Sequence, residues 1–90
     1  SYQLKINLLS NKYLAAINNN GLWIKDEYED NIYVINADEF VKNKLKNVTI
    51  NQLDSNFNIK KIIISEQADI ENEEWKLEKV RIFFDNGKKE

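Results

Sequence analysis

The chain has no cysteine and no histidine, so the usual means of stabilising a small domain are missing. A disulfide needs two cysteines, and structural zinc sites are built from Cys and His side chains. Ninety residues are also near the lower end of what a single hydrophobic core can stabilise. We therefore expect one domain, residues 1–90, that depends on packing and strand pairing.

Side chains for catalysis are scarce as well. Without His and Cys, the commonest general base and the thiolate nucleophile are absent. The acidic run at residues 26–30 offers oxygen ligands, but it lacks the spaced ligands, central glycine and closing glutamate of a calcium loop. We predict that the chain is not an enzyme, with no catalytic residues, no metal site and no cofactor.

An excess of positive charge is also lacking, since 13 Lys and Arg stand against 15 Asp and Glu and give a net charge of -2. The two signs are interspersed along the chain, which argues against nucleic acid as a partner. No apolar run approaches the roughly 20 residues that a membrane-spanning helix needs. The sequence itself therefore contains no candidate membrane span.

Turns must be made without proline and with only two glycines, so they are left to Asn, Asp and Ser. Clusters of these residues recur roughly every ten positions, and the segments between them are rich in Ile, Val, Tyr, Phe and Trp, which is the pattern of short strands. We predict an all-β fold, an antiparallel jellyroll or open sandwich of two facing sheets. Residues 13–17 and 22–25 should form a hairpin across the Asn-Gly pair at 20–21.

Three further segments carry local expectations. Trp75 and Leu77 should face the interior and Lys76 and Glu78 the solvent, because side chains alternate along a strand. Val80, Ile82 and Phe84 have even numbers, so a bulge near residues 78–79 would be needed to keep both sets inward. Residues 38–41 are predicted to form a helical turn, whereas residues 1–12 fit both a helix and a strand.

Three stretches together resemble the LptF/LptG (YjgP/YjgQ) family of lipopolysaccharide-export permeases. The first is Gly21-Leu22-Trp23-Ile24-Lys25-Asp26 followed by the Ile-rich segment 32–37. The second is Leu45-Lys46-Asn47-Val48-Thr49-Ile50-Asn51-Gln52-Leu53-Asp54. The third is Glu66-Gln67-Ala68 followed by Trp75-Lys76-Leu77-Glu78-Lys79-Val80. The pattern is closer to the LptG branch than to LptF.

The resemblance implies a periplasmic jellyroll that is part of a longer, multi-pass protein of the bacterial inner membrane. Such a domain would receive the acyl chains of lipopolysaccharide and pass them to the next jellyroll, an LptC-like neighbour, in a bridge to the outer membrane. A paired permease subunit and an ATPase would be reached through transmembrane helices outside residues 1–90. The ATPase would supply the energy.

Two sets of residues follow as candidate sites. A lipid groove between the sheets would be lined by apolar side chains, namely Leu22, Ile24, Val34, Ile50, Ile62, Ile64, Trp75 and Leu77. A free edge for the neighbouring jellyroll would lie on the last strand, at Trp75, Lys79, Arg81 and Phe83. The alternative is a carbohydrate-binding, structural or assembly β-sandwich without a lipid groove.

Overall fold

The computed structural model describes residues 2–5, 14–18, 21–72 and 74–85. These residues form nine strands and no helix, and therefore contain no helix that could cross a membrane. The strands are β1 (Tyr2–Lys5), β2 (Leu14–Asn18), β3 (Gly21–Tyr28), β4 (Asn31–Ala37), β5 (Glu39–Val41), β6 (Lys44–Leu53), β7 (Ile59–Asp69), β8 (Glu74–Glu78) and β9 (Arg81–Phe84).

All strand pairs are antiparallel, and hydrogen bonding runs continuously in the order β1-β8-β7-β6-β4-β3-β2. The central strands β6 and β7 are long, and each pairs with two shorter strands along its outer side. Along its length from the N-terminal end, β6 pairs first with β5 and then with β4. In the same direction, β7 pairs first with β9 and then with β8. The prediction of an all-β, antiparallel, open fold is confirmed.

One face of this sheet is buried, although the described residues contain no helix to cover it. Side chains on strands as far apart as β3 and β8 belong to a single core cluster, which includes Ile24 and Trp75. Several members, such as Leu45 and Ile50, have no exposed surface. Such burial requires a second layer. The sheet therefore curves and covers its own inner face, an arrangement compatible with a jellyroll.

Three short hairpins lie between β2 and β6 along the chain. The predicted hairpin is confirmed, because β2 pairs with β3 and Asn18 lies opposite Gly21. The β3–β4 and β5–β6 turns each place two residues at positive φ, Glu29 and Asp30 in one and residues 42–43 in the other. Two successive positive φ values are typical of the type I′ turn, whose twist matches that of the flanking strands.

The helical turn predicted at residues 38–41 is wrong, because this segment contains strand β5. Phe40 of β5 lies opposite Leu45 of β6, and Asp38 donates its backbone N–H to the carbonyl of Lys46 at 2.8 Å. An N-capping residue favours a helix only where the following residues can bury an apolar stripe. Here the tight turn at residues 42–43 pairs the segment with β6 instead.

Side chains change face at one level of the sheet, which we call the crease and define by Asn47, Glu66 and Lys79. In β6 the buried positions change from Leu45 to Val48, that is, from odd to even numbers. In β7 they change between residues 65 and 68, and along β8 and β9 between residues 77 and 82. At this level, the side chains that face the core change from one set of alternate positions to the other in all three neighbouring strands.

In β6 and between β8 and β9, a left-handed residue and not an inserted one lies at the crease. Asn47 has φ 54° and Lys79 has φ 56°. The register of β7 is the same on both sides of the crease, since Gln67 lies opposite Glu78 and Ile64 opposite Arg81. The irregularity predicted near residues 78–79 is therefore present, but it reverses the alternation without adding a residue as a bulge would.

A buried side-chain hydroxyl makes hydrogen bonds at the crease, where the backbone hydrogen bonding between neighbouring strands is interrupted. The Oγ atom of Ser65 lies 2.8 Å from the carbonyl oxygen of Gln67 and 2.7 Å from that of Glu78. It also accepts the backbone N–H of Gln67 at 3.2 Å. Because a hydroxyl has one proton, it donates to one of the two carbonyls at a time.

The left-handed backbone at Lys79 should make this position sensitive to branching at Cβ. We expect Lys79→Val to lower the free energy of unfolding by about 1–2 kcal/mol, because a β-branched residue is strained at positive φ. Lys79→Gly should leave stability unchanged or raise it by up to about 1 kcal/mol. Urea denaturation measures both, with Lys76→Val as a control on an exposed position of β8 where φ is negative. Equal effects of valine at positions 79 and 76 would contradict the assignment.

Candidate functional site

A row of five isoleucines crosses the inner face on one side of the crease. Its members are cross-strand neighbours on β3, β4, β6, β7 and β9: Ile24, Ile35, Ile50, Ile63 and Ile82. Residues directly opposite in an antiparallel pair point to the same face, so the five side chains form one continuous strip. Exposure is 7% at Ile24 and falls to 0% at Ile50 and Ile63. We call this strip the isoleucine row.

The inner face continues beyond the crease with a second apolar group. Leu45, Ala68 and Leu77 are cross-strand neighbours on β6, β7 and β8, and all three are fully buried. Trp75, on the same face of β8 as Leu77, is 1% exposed. The predicted inward facing of Trp75 and Leu77 is thereby confirmed.

The inner face is not sealed along its whole border. Five apolar side chains pack against the core and yet keep part of their surface exposed: Leu22, Tyr28, Ile70, Val80 and Ile82. We call them the rim. Leu22 and Tyr28 lie on β3, whereas Val80 and Ile82 lie at or next to β9. An apolar molecule could contact the core at these positions without displacing a buried side chain.

The predicted groove residues do not all lie on this face. Ile24, Ile50, Trp75 and Leu77 are in the core, and Leu22 is on the rim. Three others face the opposite side of the sheet, because they alternate with core residues along their strands: Val34, Ile62 and Ile64. Ile62 lies opposite Asn51, which lies opposite Val34, whereas Ile63 lies opposite Ile50. The predicted set is thus divided between two faces.

The outer face carries apolar side chains of its own. Phe83 of β9 lies opposite Ile62 and is 50% exposed, and Trp23 of β3 is 40% exposed. Polar residues separate them, since the rows between β9 and β3 contain Thr49 and Asn51. This face is therefore mixed in character, whereas the isoleucine row on the inner face is apolar along its whole length.

The predicted partner edge is also divided. Trp75 is buried, and β1 pairs with β8 in such a way that Leu4 lies opposite Trp75, so this part of the strand is not a free edge. The pairing of β1 with β8 was not foreseen from the sequence, and a partner contact at Trp75 stays a prediction that this pairing does not favour. Lys79, Arg81 and Phe83 are exposed. Within the described residues, β9 pairs with β7 alone.

Charged groups gather on the surface at the crease. A cavity of about 590 Å³ is lined there by residues of both signs, including Lys46, Glu66 and Glu78. The ammonium group of Lys79 lies 3.9 Å from a carboxylate oxygen of Glu66. Because both signs of charge line this cavity, it does not offer a site built for an ion of one sign. No group of three or more Asp or Glu side chains suited to a metal occurs among the described residues.

Two carboxylates at or next to the end of a strand have lowered pKa values. The backbone N–H of Asn58, at 2.9 Å from Asp54, holds the pKa of that carboxyl below its ordinary value. The backbone N–H of Glu71, at 3.1 Å, and the ammonium group of Lys44 do the same for Asp69. A general acid needs the opposite shift to stay protonated near neutral pH. These groups stabilise turns and strand pairing.

Sequence comparison supplies an independent finding about this chain. The family model described as "Lipopolysaccharide export system permease LptF/LptG" matches residues 2–90. The match does not distinguish LptF from LptG, so the closer similarity to the LptG branch stays a prediction. No curated protein and no solved structure matches the chain significantly.

Proposed function

Because this chain belongs to the LptF/LptG family of lipopolysaccharide export permeases, we propose that residues 1–90 form the periplasmic domain of such a permease. Members of the family are inner-membrane proteins of a transport system whose ATPase activity belongs to a partner. In this proposal, helices outside residues 1–90 connect the domain to the membrane, the paired permease subunit and the ATPase. The domain receives lipid and passes it on.

Acyl chains of lipopolysaccharide would bind along the inner face of the sheet. The isoleucine row is a strip of aliphatic side chains without a charged group, and each methylene buried against such a surface contributes about 0.8 kcal/mol. The observation that supports this best is the rim. Ile82, at the β9 end of the isoleucine row, is partly exposed, whereas Ile63 beside it is fully buried. An acyl chain lying over Ile82 would extend the core outward.

The neighbouring, LptC-like jellyroll would dock on the free side of β9. An unpaired strand edge offers backbone donors and acceptors to an extended partner strand. The exposed side chains of Lys79, Arg81 and Phe83 flank this edge and would set the choice of partner. Lipid would then pass from the rim, next to β9, directly into the interior of the neighbour.

Photo-crosslinking in the assembled, energised transporter tests the lipid path. A photoreactive residue at position 82 should label lipopolysaccharide, because this side chain is on the rim of the inner face. Position 62 is the matched control, since Ile62 is also an isoleucine of the β7–β9 pair but faces the other side of the sheet. Labelling at position 62 alone would place the lipid on the outer face.

The partner edge is tested with the same method at position 81. We expect a crosslink from Arg81 to the neighbouring jellyroll and none from Lys25, which is also exposed but lies on β3, between its two partner strands β2 and β4. If lipid is labelled from position 82 while no protein is labelled from position 81, the domain binds lipid but does not use β9 for the hand-off.

A further inference from the structure

The carboxylate of Asp26 is buried on the apolar face of the sheet. Asp26 is 4% exposed and lies on β3 two residues after Ile24, so it points to the same side as the isoleucine row. Its cross-strand neighbour on β4 is Tyr33, which in turn lies opposite Gln52 on β6. A second, partly polar row thus runs beside the isoleucine row towards the β3–β4 turn.

One oxygen of this carboxylate has no partner. The Oδ2 atom of Asp26 is buried and is the single side-chain atom of the described residues that is both buried and without a hydrogen bond. The other buried polar side chains, Ser65 and Gln52, have no such atom. A buried acceptor without a donor is unfavourable, and a buried carboxylate without one is more so. A donor from outside the chain would remove this penalty.

We propose that Asp26 is a polar subsite within the lipid-binding interior, where Oδ2 accepts a hydrogen bond from a hydroxyl, amide N–H or ammonium group carried next to an acyl chain. This inference rests on the proposed function, because the acyl chain would lie along the isoleucine row with its donor at the adjacent row. A lone carboxylate among Ile24, Tyr33 and Gln52 suits one donor group and not a metal ion, which needs several oxygen ligands.

The position of Asp26 would determine the orientation in which an amphiphile binds in the interior. Ile24 and Ile35, on the crease side of Asp26, are apolar, whereas the polar residue Asn31 lies between it and the β3–β4 turn. An amphiphile would therefore bind with its donor group near Asp26 and its aliphatic part over the isoleucine row. Lipids without such a donor would leave Oδ2 unpaired and should bind more weakly.

Two probes that differ by one donor test this subsite. N-dodecylacetamide has an amide N–H, and N-methyl-N-dodecylacetamide has the same chain without it. Binding to the 90-residue chain is measured by displacement of an apolar fluorescent dye. We expect the probe with the N–H to bind about tenfold more tightly, which is the order of effect for a hydrogen bond to a charged group.

Substitutions identify the acceptor. Asp26→Leu should remove the preference for the N–H probe and raise the denaturation midpoint of the ligand-free chain, since it replaces an unpaired acceptor by an apolar group. Asp26→Asn keeps an acceptor oxygen and should retain part of the preference, which provides a second variant if leucine does not fit. Glu27→Gln, on the exposed neighbouring position, should change nothing.

The possible failures are distinguishable. If both probes bind the unmodified chain equally, or if Asp26→Leu keeps the preference, the subsite is wrong although acyl-chain binding stands. If neither probe displaces the dye, lipid binding by the interior is wrong, and the subsite with it. A preference that is lost in Asp26→Leu and unchanged in Glu27→Gln supports the assignment.

Discussion

Replacing Trp75 by alanine is expected to lower the free energy of unfolding by about 3–5 kcal/mol, the range for truncating a large buried aromatic side chain. Trp75 is 1% exposed and is the largest of the fully buried side chains. It belongs to the core cluster on the far side of the crease from Ile24. No helix among the described residues can move in to fill the cavity, so most of the lost packing will remain lost.

The chain contains a matched control for this experiment. Trp23 is also a tryptophan in a strand, but it lies on the outer face and is 40% exposed. Trp23→Ala should cost about 1–2 kcal/mol, clearly less than Trp75→Ala, because a large part of Trp23 is already in contact with water. Urea denaturation followed by far-UV circular dichroism gives both values. Similar losses at positions 75 and 23 would contradict the assignment of the two faces.

Gly21→Ala should also be strongly destabilising, by about 3 kcal/mol or more, because a left-handed strain and a backbone clash occur together. Gly21 has φ +105°, and a Cβ atom built on it would lie 2.3 Å from the carbonyl oxygen of Ala37. That oxygen cannot move away cheaply, since the next residue pair, Leu22 and Ala37, holds β3 against β4. Relief of the clash requires the end of this hairpin to open.

Glu29→Gly is the corresponding control. Glu29 is exposed and has φ 52° in the β3–β4 turn, so glycine there removes left-handed strain without changing a packed contact. Its stability should stay within about 1 kcal/mol of the unmodified chain. Thermal unfolding of the two variants measures the difference. A loss at position 29 as large as that at position 21 would mean that the Ala37 contact is not the cause.

Local patterns in the sequence were sufficient for the fold class and for parts of the core. Short β-branched segments between Asn and Asp clusters predict strands, and the Asn-Gly pair predicts the β2–β3 hairpin. The polar residues Lys76 and Glu78 alternate with Trp75 and Leu77. The sequence alone therefore indicates which of these side chains face the solvent and which face the core. In each case the information lies within a few residues of the element that it determines.

The residues 62–64 could not be assigned in this way. Three consecutive isoleucines give no alternation, so β7 by itself does not reveal whether Ile63 or its two neighbours face inward. The register with β6 decides, by placing Ile63 opposite Ile50. The predicted groove residues Ile62 and Ile64 therefore belong to the half of an ambiguous pattern that faces away from the core, and their role in lipid binding stays a prediction. The even-numbered apolar positions of β6, at Val48 and Ile50, become informative only once that pairing is known.

The crease and the pairing of β1 were hidden for a related reason. Asn tolerates positive φ, but nothing in the side chain of Lys79 indicates a left-handed residue. The reversal there is imposed by three strands acting together. Likewise, β1 is placed by β8 from the other end of the chain, and the ambiguous pattern of residues 1–12 contains no trace of that partner.

The pairing of the first strand with the eighth also sets an order of assembly. Tyr2 lies opposite Leu77, whereas Leu53 of β6 and Ile59 of β7 are joined by a short turn. Loop-closure entropy makes distant contacts slower and costlier to form, so the β6–β7 hairpin can form early and β1 is expected to dock last. On the ribosome, the first strand to emerge must wait until nearly the whole domain has been synthesised. Until then, β1 has no partner strand, and the nascent domain is most exposed to mispairing at this unpaired strand.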